Sequence, residues 1–93
     1  MARASARHIL VEKQHLAKKL KKEIIKKDFT FEKAAKKYSK CPSGKQGGDL
    51  GSFKKGDMVK EFDKVVFGGE LNRIHGPIKT EFGFHLIEIT SRN

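Results

Sequence analysis

Apolar residues change their spacing several times along this chain, and each change marks an element. From Ala6 to Val11 they alternate, which suits a strand with Ala6, His8 and Leu10 on one face and Arg7, Ile9 and Val11 on the other. From Gln14 to about Lys27 the period lengthens. Leu16, Ala17, Leu20 and Ile24 fall within an arc of roughly 100° at helical spacing, with Lys18, Lys19, Lys22 and Lys26 opposite. The i, i+3, i+4, i+7 spacing of Phe31, Ala34, Ala35 and Tyr38 predicts a second, shorter helix. Thr30 serves as its N-cap, and it stops near Ser39 because Pro42 and Gly44 follow.

Five of the nine glycines (Gly44, Gly47, Gly48, Gly51 and Gly56) then lie between Cys41 and Gly56, so the backbone there must turn sharply or approach something closely. Asp49 to Phe53 suits a very short strand within that stretch. Asp57 to Phe67 returns to helical spacing, with Met58, Phe62 and Val65 or Val66 on one side and Lys60, Asp63 and Lys64 on the other; Gly68 and Gly69 end it. The remainder reads as a hairpin, Gly76 to Lys79 and Phe84 to Thr90 around a turn at Thr80 to Gly83. His85, Ile87 and Ile89 share one face of its second strand. Strand, two helices, strand, helix and two strands make an α+β domain with a small antiparallel sheet.

With 93 residues, the chain has length for one hydrophobic core, so residues 1–93 are read as a single domain. The net charge of +10 is unevenly placed: residues 1–40 carry 13 Lys and Arg against 4 Asp and Glu, and residues 41–93 carry 8 against 7. That excess raises nucleic-acid binding as a rival function. The lysine stripe has no interleaved aromatic and almost no Arg, so a solvated helix face is the better reading, and any nucleic-acid binding is expected to be weak and salt-sensitive. The longest aliphatic run, Ile9 to Val11, is far short of the roughly 20 residues of a membrane span, and Met1 to Ser5 lacks the apolar stretch of a leader. A soluble, cytoplasmic monomer without a membrane partner is the expectation. The single cysteine, Cys41, forms no internal disulfide, which suits a reducing compartment.

His8, Cys41 and His85 stand out by chemical type. A cysteine beside a histidine suggests nucleophilic catalysis, because an imidazole lowers a thiol's pKa. The plainer alternatives stay open: a lone cysteine is often a small buried hydrophobe, and a histidine on an apolar strand face is often a hydrogen-bonded core residue. No His and Cys pairs stand at metal-ligand spacing, so no metal is expected. The run Gly44 to Gly51 lacks the Lys-Ser or Lys-Thr ending of a phosphate-binding loop, and no helix begins directly after it.

The segment Cys41-Pro42-Ser43-Gly44-Lys45-Gln46-Gly47-Gly48-Asp49-Leu50-Gly51, followed by Phe53, Gly56, Met58 and Phe62, resembles the signature of the parvulin-type peptidyl-prolyl cis/trans isomerases. The resemblance extends from the strand His8-Ile9-Leu10-Val11 to Pro77-Ile78-Lys79-Thr80-Glu81-Phe82-Gly83-Phe84-His85-Leu86-Ile87. It implies an FKBP-like superfold, a four-stranded antiparallel sheet surrounded by helices, with the substrate proline held over one sheet face. By resemblance, Leu50, Met58 and Phe62 form the proline pocket, and His8, Cys41 and His85 form the catalytic set. Thr80 and Phe82 then lie near the bound peptide. The implied partners are proline-containing peptides and unfolded or partly folded proteins, with no cofactor.

Rotation about an X-Pro bond takes tens to hundreds of seconds unaided, because twisting the amide costs about 18 to 20 kcal/mol. No bond need break, so an apolar pocket and a tuned field suffice, and covalent attack by Cys41 is not required. Family members with Asp at the matching position fit that view. Phosphate-directed parvulins insert a basic loop after the first strand, whereas Val11-Glu12-Lys13-Gln14-His15-Leu16 passes almost directly into the helix. An apolar residue before proline is therefore expected, without phosphate selectivity. The chain resembles the minimal stand-alone parvulins. The remaining rivals are a cysteine hydrolase, which lacks any sign of an oxyanion hole, and a chaperone-like proline binder.

Overall fold

Strand-forming residues reach further back than the alternation from Ala6 suggests. In the computed structural model, which describes residues 3–92, β1 runs Arg3–Val11, because Arg3, Ala4 and Ser5 already pair with Lys54, Phe53 and Ser52. Met1 and Ala2, part of the stretch inspected for a leader, lie outside the described residues, as does Asn93. The chain continues through α1 (Gln14–Ile25), α2 (Phe31–Tyr38) and a 3-10 helix (Pro42–Gln46). After these come β2 (Asp49–Lys54), α3 (Lys60–Gly68), β3 (Ile74–Thr80) and β4 (Gly83–Arg92).

The four strands form one antiparallel sheet in the order β2-β1-β4-β3, and helices cover both of its faces. Side chains alternate along the two central strands, so β1 and β4 each feed two cores. On one face Ile9, Val11 and Leu86 pack against Ala17 and Leu20 of α1 and Phe31, Ala34 and Ala35 of α2. On the other, Ala4, Ala6, Ile87 and Ile89 pack against Phe53 and against Phe62 and Val66 of α3.

Thr30 caps α2 as expected, its side chain accepting from the Lys33 N–H at 3.1 Å. Two helix boundaries also differ from the periodic reading. Helix α1 ends at Ile25, and Lys27 adopts a φ of 67°, which breaks the helical path. Helix α3 begins at Lys60, three residues later than Asp57. Asp57 is committed to a turn: its carboxylate accepts from the Lys54 N–H (2.9 Å) while its own N–H donates to the Lys54 carbonyl (3.1 Å). The Asp63 carboxylate reaches back from α3 to the Gly56 N–H at 3.0 Å. Met58 therefore sits before the helix.

The glycine-rich stretch contains the 3-10 helix, which has no apolar period to announce it. Pro42 opens it, where a missing N–H costs nothing. What the loop approaches closely is β1. The His8 N–H donates to the Gly48 carbonyl at 3.0 Å. Gly48 has a φ of 87°, and a Cβ there would run into the His8 carbonyl oxygen.

Candidate active site

The antiparallel register of β1 and β4 places His8 opposite Ile87 and Leu10 opposite His85. The two histidines are thus diagonal neighbours on the face covered by α3, close enough for their side chains to meet. Their rings stack with centroids 5.3 Å apart and planes 14° from parallel. Phe62 stands edge-on to both, 5.5 Å from His8 and 5.9 Å from His85. Each histidine is about 5% exposed or less, so every ring nitrogen needs a partner.

Each has one. His8 Nδ1 lies 3.1 Å from His85 Nδ1, His8 Nε2 lies 3.1 Å from Ser43 Oγ, and His85 Nε2 lies 2.8 Å from Thr80 Oγ1. The Phe82 N–H donates to Thr80 Oγ1 at 3.1 Å, and with a second lone pair and its own proton the hydroxyl can either accept from or donate to His85 Nε2. Two proton arrangements complete the chain: His85 protonated on Nδ1 with His8 protonated on Nε2, or His8 protonated on Nδ1 with His85 protonated on Nε2. This chain satisfies every group with both imidazoles neutral. A doubly protonated pair would set two N–H groups and two positive charges face to face. Burial lowers the His8 pKa to about 4, and the charge of His85 adds to the effect. Burial also lowers the His85 pKa, and the Glu61 carboxylate works in the opposite direction.

Above this pair opens a cavity of about 360 Å³ whose walls are Leu50, Met58, Phe62 and Phe82, with Cys41 at one side. His8 and His85 form part of the same lining, so all the expected site residues except Thr80 border one space. Thr80 is buried, and its hydroxyl is spent on His85 and the Phe82 N–H. The hydroxyl thus holds the His85 ring in place. Cys41 borders the cavity but stands outside the hydrogen-bonded chain. Among the described residues its sulfur bonds to neither histidine, and its backbone N–H donates to Ser39 Oγ at 3.4 Å. The polar partner of His8 is instead Ser43, which sequence reasoning missed. Its only signal was its place two residues after Cys41. Among the described residues no group of three His, Cys, Asp or Glu stands where it could hold a metal ion.

A buried neutral imidazole pair beneath an apolar cavity of this volume can accommodate a proline and shape the field around its amide, and among the described residues it contains no hydrogen-bonded pair of nucleophile and base. The family model for the rotamase, a PPIC-type PPIase domain, matches residues 5–91. The chain is 41% identical over 88 residues to a foldase protein PrsA of Geobacillus kaustophilus, covering 94% of this chain and 31% of the foldase. It thus spans about a third of the length of such relatives. Among solved structures, a peptidylprolyl isomerase (PrsA) from Bacillus anthracis superposes with a TM-score of 0.93 at 33% identity, over 99% of this chain and 42% of that one. The parvuline of Nitrosopumilus maritimus superposes with a TM-score of 0.86 at 37% identity, over 98% of both chains.

These relatives correct the expectation of a cytoplasmic protein, since the PrsA foldases are extracytoplasmic chaperones. The composition of the first residues carries no weight on this point in a chain that spans a third of their length. No helix among the described residues is long and apolar enough to cross a membrane. Domains of this kind generally bind unfolded or partly folded protein substrates. The model match across the fold, together with the apolar cavity over paired histidines, identifies the chain as a member of the PPIC-type, or parvulin, peptidyl-prolyl cis/trans isomerase family.

Proposed function

We propose that residues 1–93 act as one isomerase domain that speeds cis/trans rotation of X-Pro bonds in unfolded or partly folded chains, without covalent chemistry. The observation that carries this reading is the neutral His8–His85 pair, held by Ser43 and Thr80 beneath the apolar cavity. The match of nearly equal length to the Nitrosopumilus maritimus parvuline supports treating the chain as a single unit.

Twisting the amide restores the nitrogen lone pair and removes resonance, so the twisted state is less polar than the planar one. Leu50, Met58 and Phe62 would grip the proline ring and keep water from the planar amide, favouring the twisted state. Dipoles held in place before the reaction begins cost no reorganisation when the charge distribution changes. The imidazole pair supplies such dipoles, and Cys41 adds a polarizable group at the cavity wall. Covalent attack finds no support, because Cys41 has no histidine in hydrogen-bond reach to take its proton.

The walls also favour an apolar residue before proline. Lys40 is the one lysine or arginine among the cavity's lining residues, and a phosphate of about −1.5 to −2 charge is well held only where several cationic donors converge. The test is NMR exchange or a protease-coupled assay on peptides with Leu, Glu or phosphoserine before proline, at fixed ionic strength. The Leu peptide should relax much faster with enzyme than without. Leu50→Ala should cut kcat/KM about tenfold, the loss expected when about 1.5 kcal/mol of partial burial disappears. No acceleration would overturn the isomerase reading, and a phosphoserine peptide outpacing the Leu peptide tenfold would overturn the substrate preference.

A further inference from the structure

A second concavity, of about 450 Å³, lies away from the histidines, between α1 and the edge strand β3. Ile25 and Pro77 line it, together with Lys18, Lys21, Lys22 and Lys26. Ile25 is 62% exposed, an aliphatic side chain left largely in water beside a groove. The lysine stems contribute further apolar surface while their ammonium groups reach toward solvent.

These lysines divide by role. Lys21 donates from Nζ to the Gly76 carbonyl at 2.8 Å and ties the helix to the strand. Lys18, Lys22 and Lys26 stand at i, i+4 and i+8, a single row on the helix surface. Among the described residues none of the three pairs with a carboxylate. The row is about 12 Å long, a distance that about four extended residues cover.

We infer that this groove docks an acidic polypeptide segment carrying an aliphatic anchor: carboxylates meet the lysine row, and the anchor packs on Ile25 and Pro77. This goes beyond isomerisation, because nothing in the groove requires a proline. Recognition is through side chains. Pro77 has no N–H to offer an added strand, and the Gly76 carbonyl is already taken by Lys21.

Two other anionic surfaces fit less well. A single-stranded nucleic acid would want aromatic platforms or Arg, and the lining has neither. A bilayer takes up a broad protruding apolar face, whereas the apolar surface here is limited to Ile25, Pro77 and the lysine stems and is rimmed by charge.

The test is a titration of the 15N-labelled chain with an eight-residue probe peptide of Glu and Leu that contains no proline. Shift changes should fall on the amides of Lys18, Lys22, Ile25, Lys26 and Gly76, and the affinity should drop as salt rises. Ile25→Ser, and separately Lys22→Glu with Lys26→Glu, should each weaken the peptide at least tenfold while the rest of the amide spectrum is retained. A probe with Gln for Glu should also bind at least tenfold more weakly. Shifts confined to Leu50, Phe62 and their neighbours would overturn the inference, as would an affinity indifferent to these variants. So would tighter binding of a single-stranded oligonucleotide or of anionic lipid vesicles than of the acidic probe. The isomerase assay with a Leu-Pro peptide is independent of the groove, so the two readings fail separately.

Discussion

At the residue scale, the site depends on groups that hold the histidines as much as on the histidines themselves. Thr80→Val keeps the shape but removes the one partner that His85 Nε2 has among the described residues. A buried polar atom left alone costs about 1 to 3 kcal/mol. The variant should lose about that much stability in urea titrations, and the His85 ring-nitrogen resonances should move in 15N spectra; unchanged His85 resonances would refute the chain of bonds. Cys41 calls for a different test, because among the described residues its sulfur hydrogen-bonds to neither imidazole. If it acts only through the field at the cavity wall, Cys41→Asp should retain much more kcat/KM than Cys41→Ala. A covalent peptide adduct on Cys41, trapped during turnover and detected by mass spectrometry, would contradict that role.

At the scale of elements, α2 shows how local chemistry and packing divide the work. Its buried face, Phe31, Ala34 and Ala35, joins the core under β1, while its start is set by one hydroxyl. Thr30→Ala should cost about 1 kcal/mol, the usual worth of an N-cap, and lower the melting temperature. Thr30 is remote from the cavity lining, so kcat/KM on a Leu-Pro peptide should stay within about twofold. A drop in activity without a drop in stability would mean that α2 couples to the site more directly than its packing indicates. The neighbouring glycine-rich loop is different in kind. Gly48 sits against the His8 backbone, so this loop and the first strand position the site together.

For the whole molecule, the neutral histidine pair makes the fold acid-sensitive. The His8 pKa in the folded chain is about 4, below its ordinary 6.5, so between those values the unfolded chain binds more protons than the folded one. Stability from this source is fully present above pH 6.5 and is lost as pH falls toward 4. The lowered His85 pKa acts in the same direction. One group shifted this far accounts for at most about 3 kcal/mol. Urea midpoints should therefore hold between pH 7 and 8 and fall steadily from pH 6.5 to 4. His8→Gln should flatten that slope, and a midpoint independent of pH over this range would show that the histidines ionise freely in the folded state.

Much of this architecture was legible because helices and strands with one buried face write their period into the chain. The core faces of β1, α1, α2 and β4 follow from Ile9 and Val11, Ala17 and Leu20, Ala34 and Ala35, and Ile87 and Ile89. Resemblance carried the cavity residues Leu50, Met58, Phe62 and Phe82 to their places. The start of α3 was not legible, because whether Asp57 enters a helix or closes a turn depends on Lys54 bending back to meet it and on Asp63 reaching the Gly56 N–H. Nor was the inner wiring of the site. His8 and His85 are 77 positions apart and meet only through strand register, and Ser43 rather than Cys41 reaches His8 because a 3-10 turn docks the loop against β1. Periodicity records which face of an element is buried, whereas hydrogen-bond partners across elements are decided by the distances that the folded backbone sets.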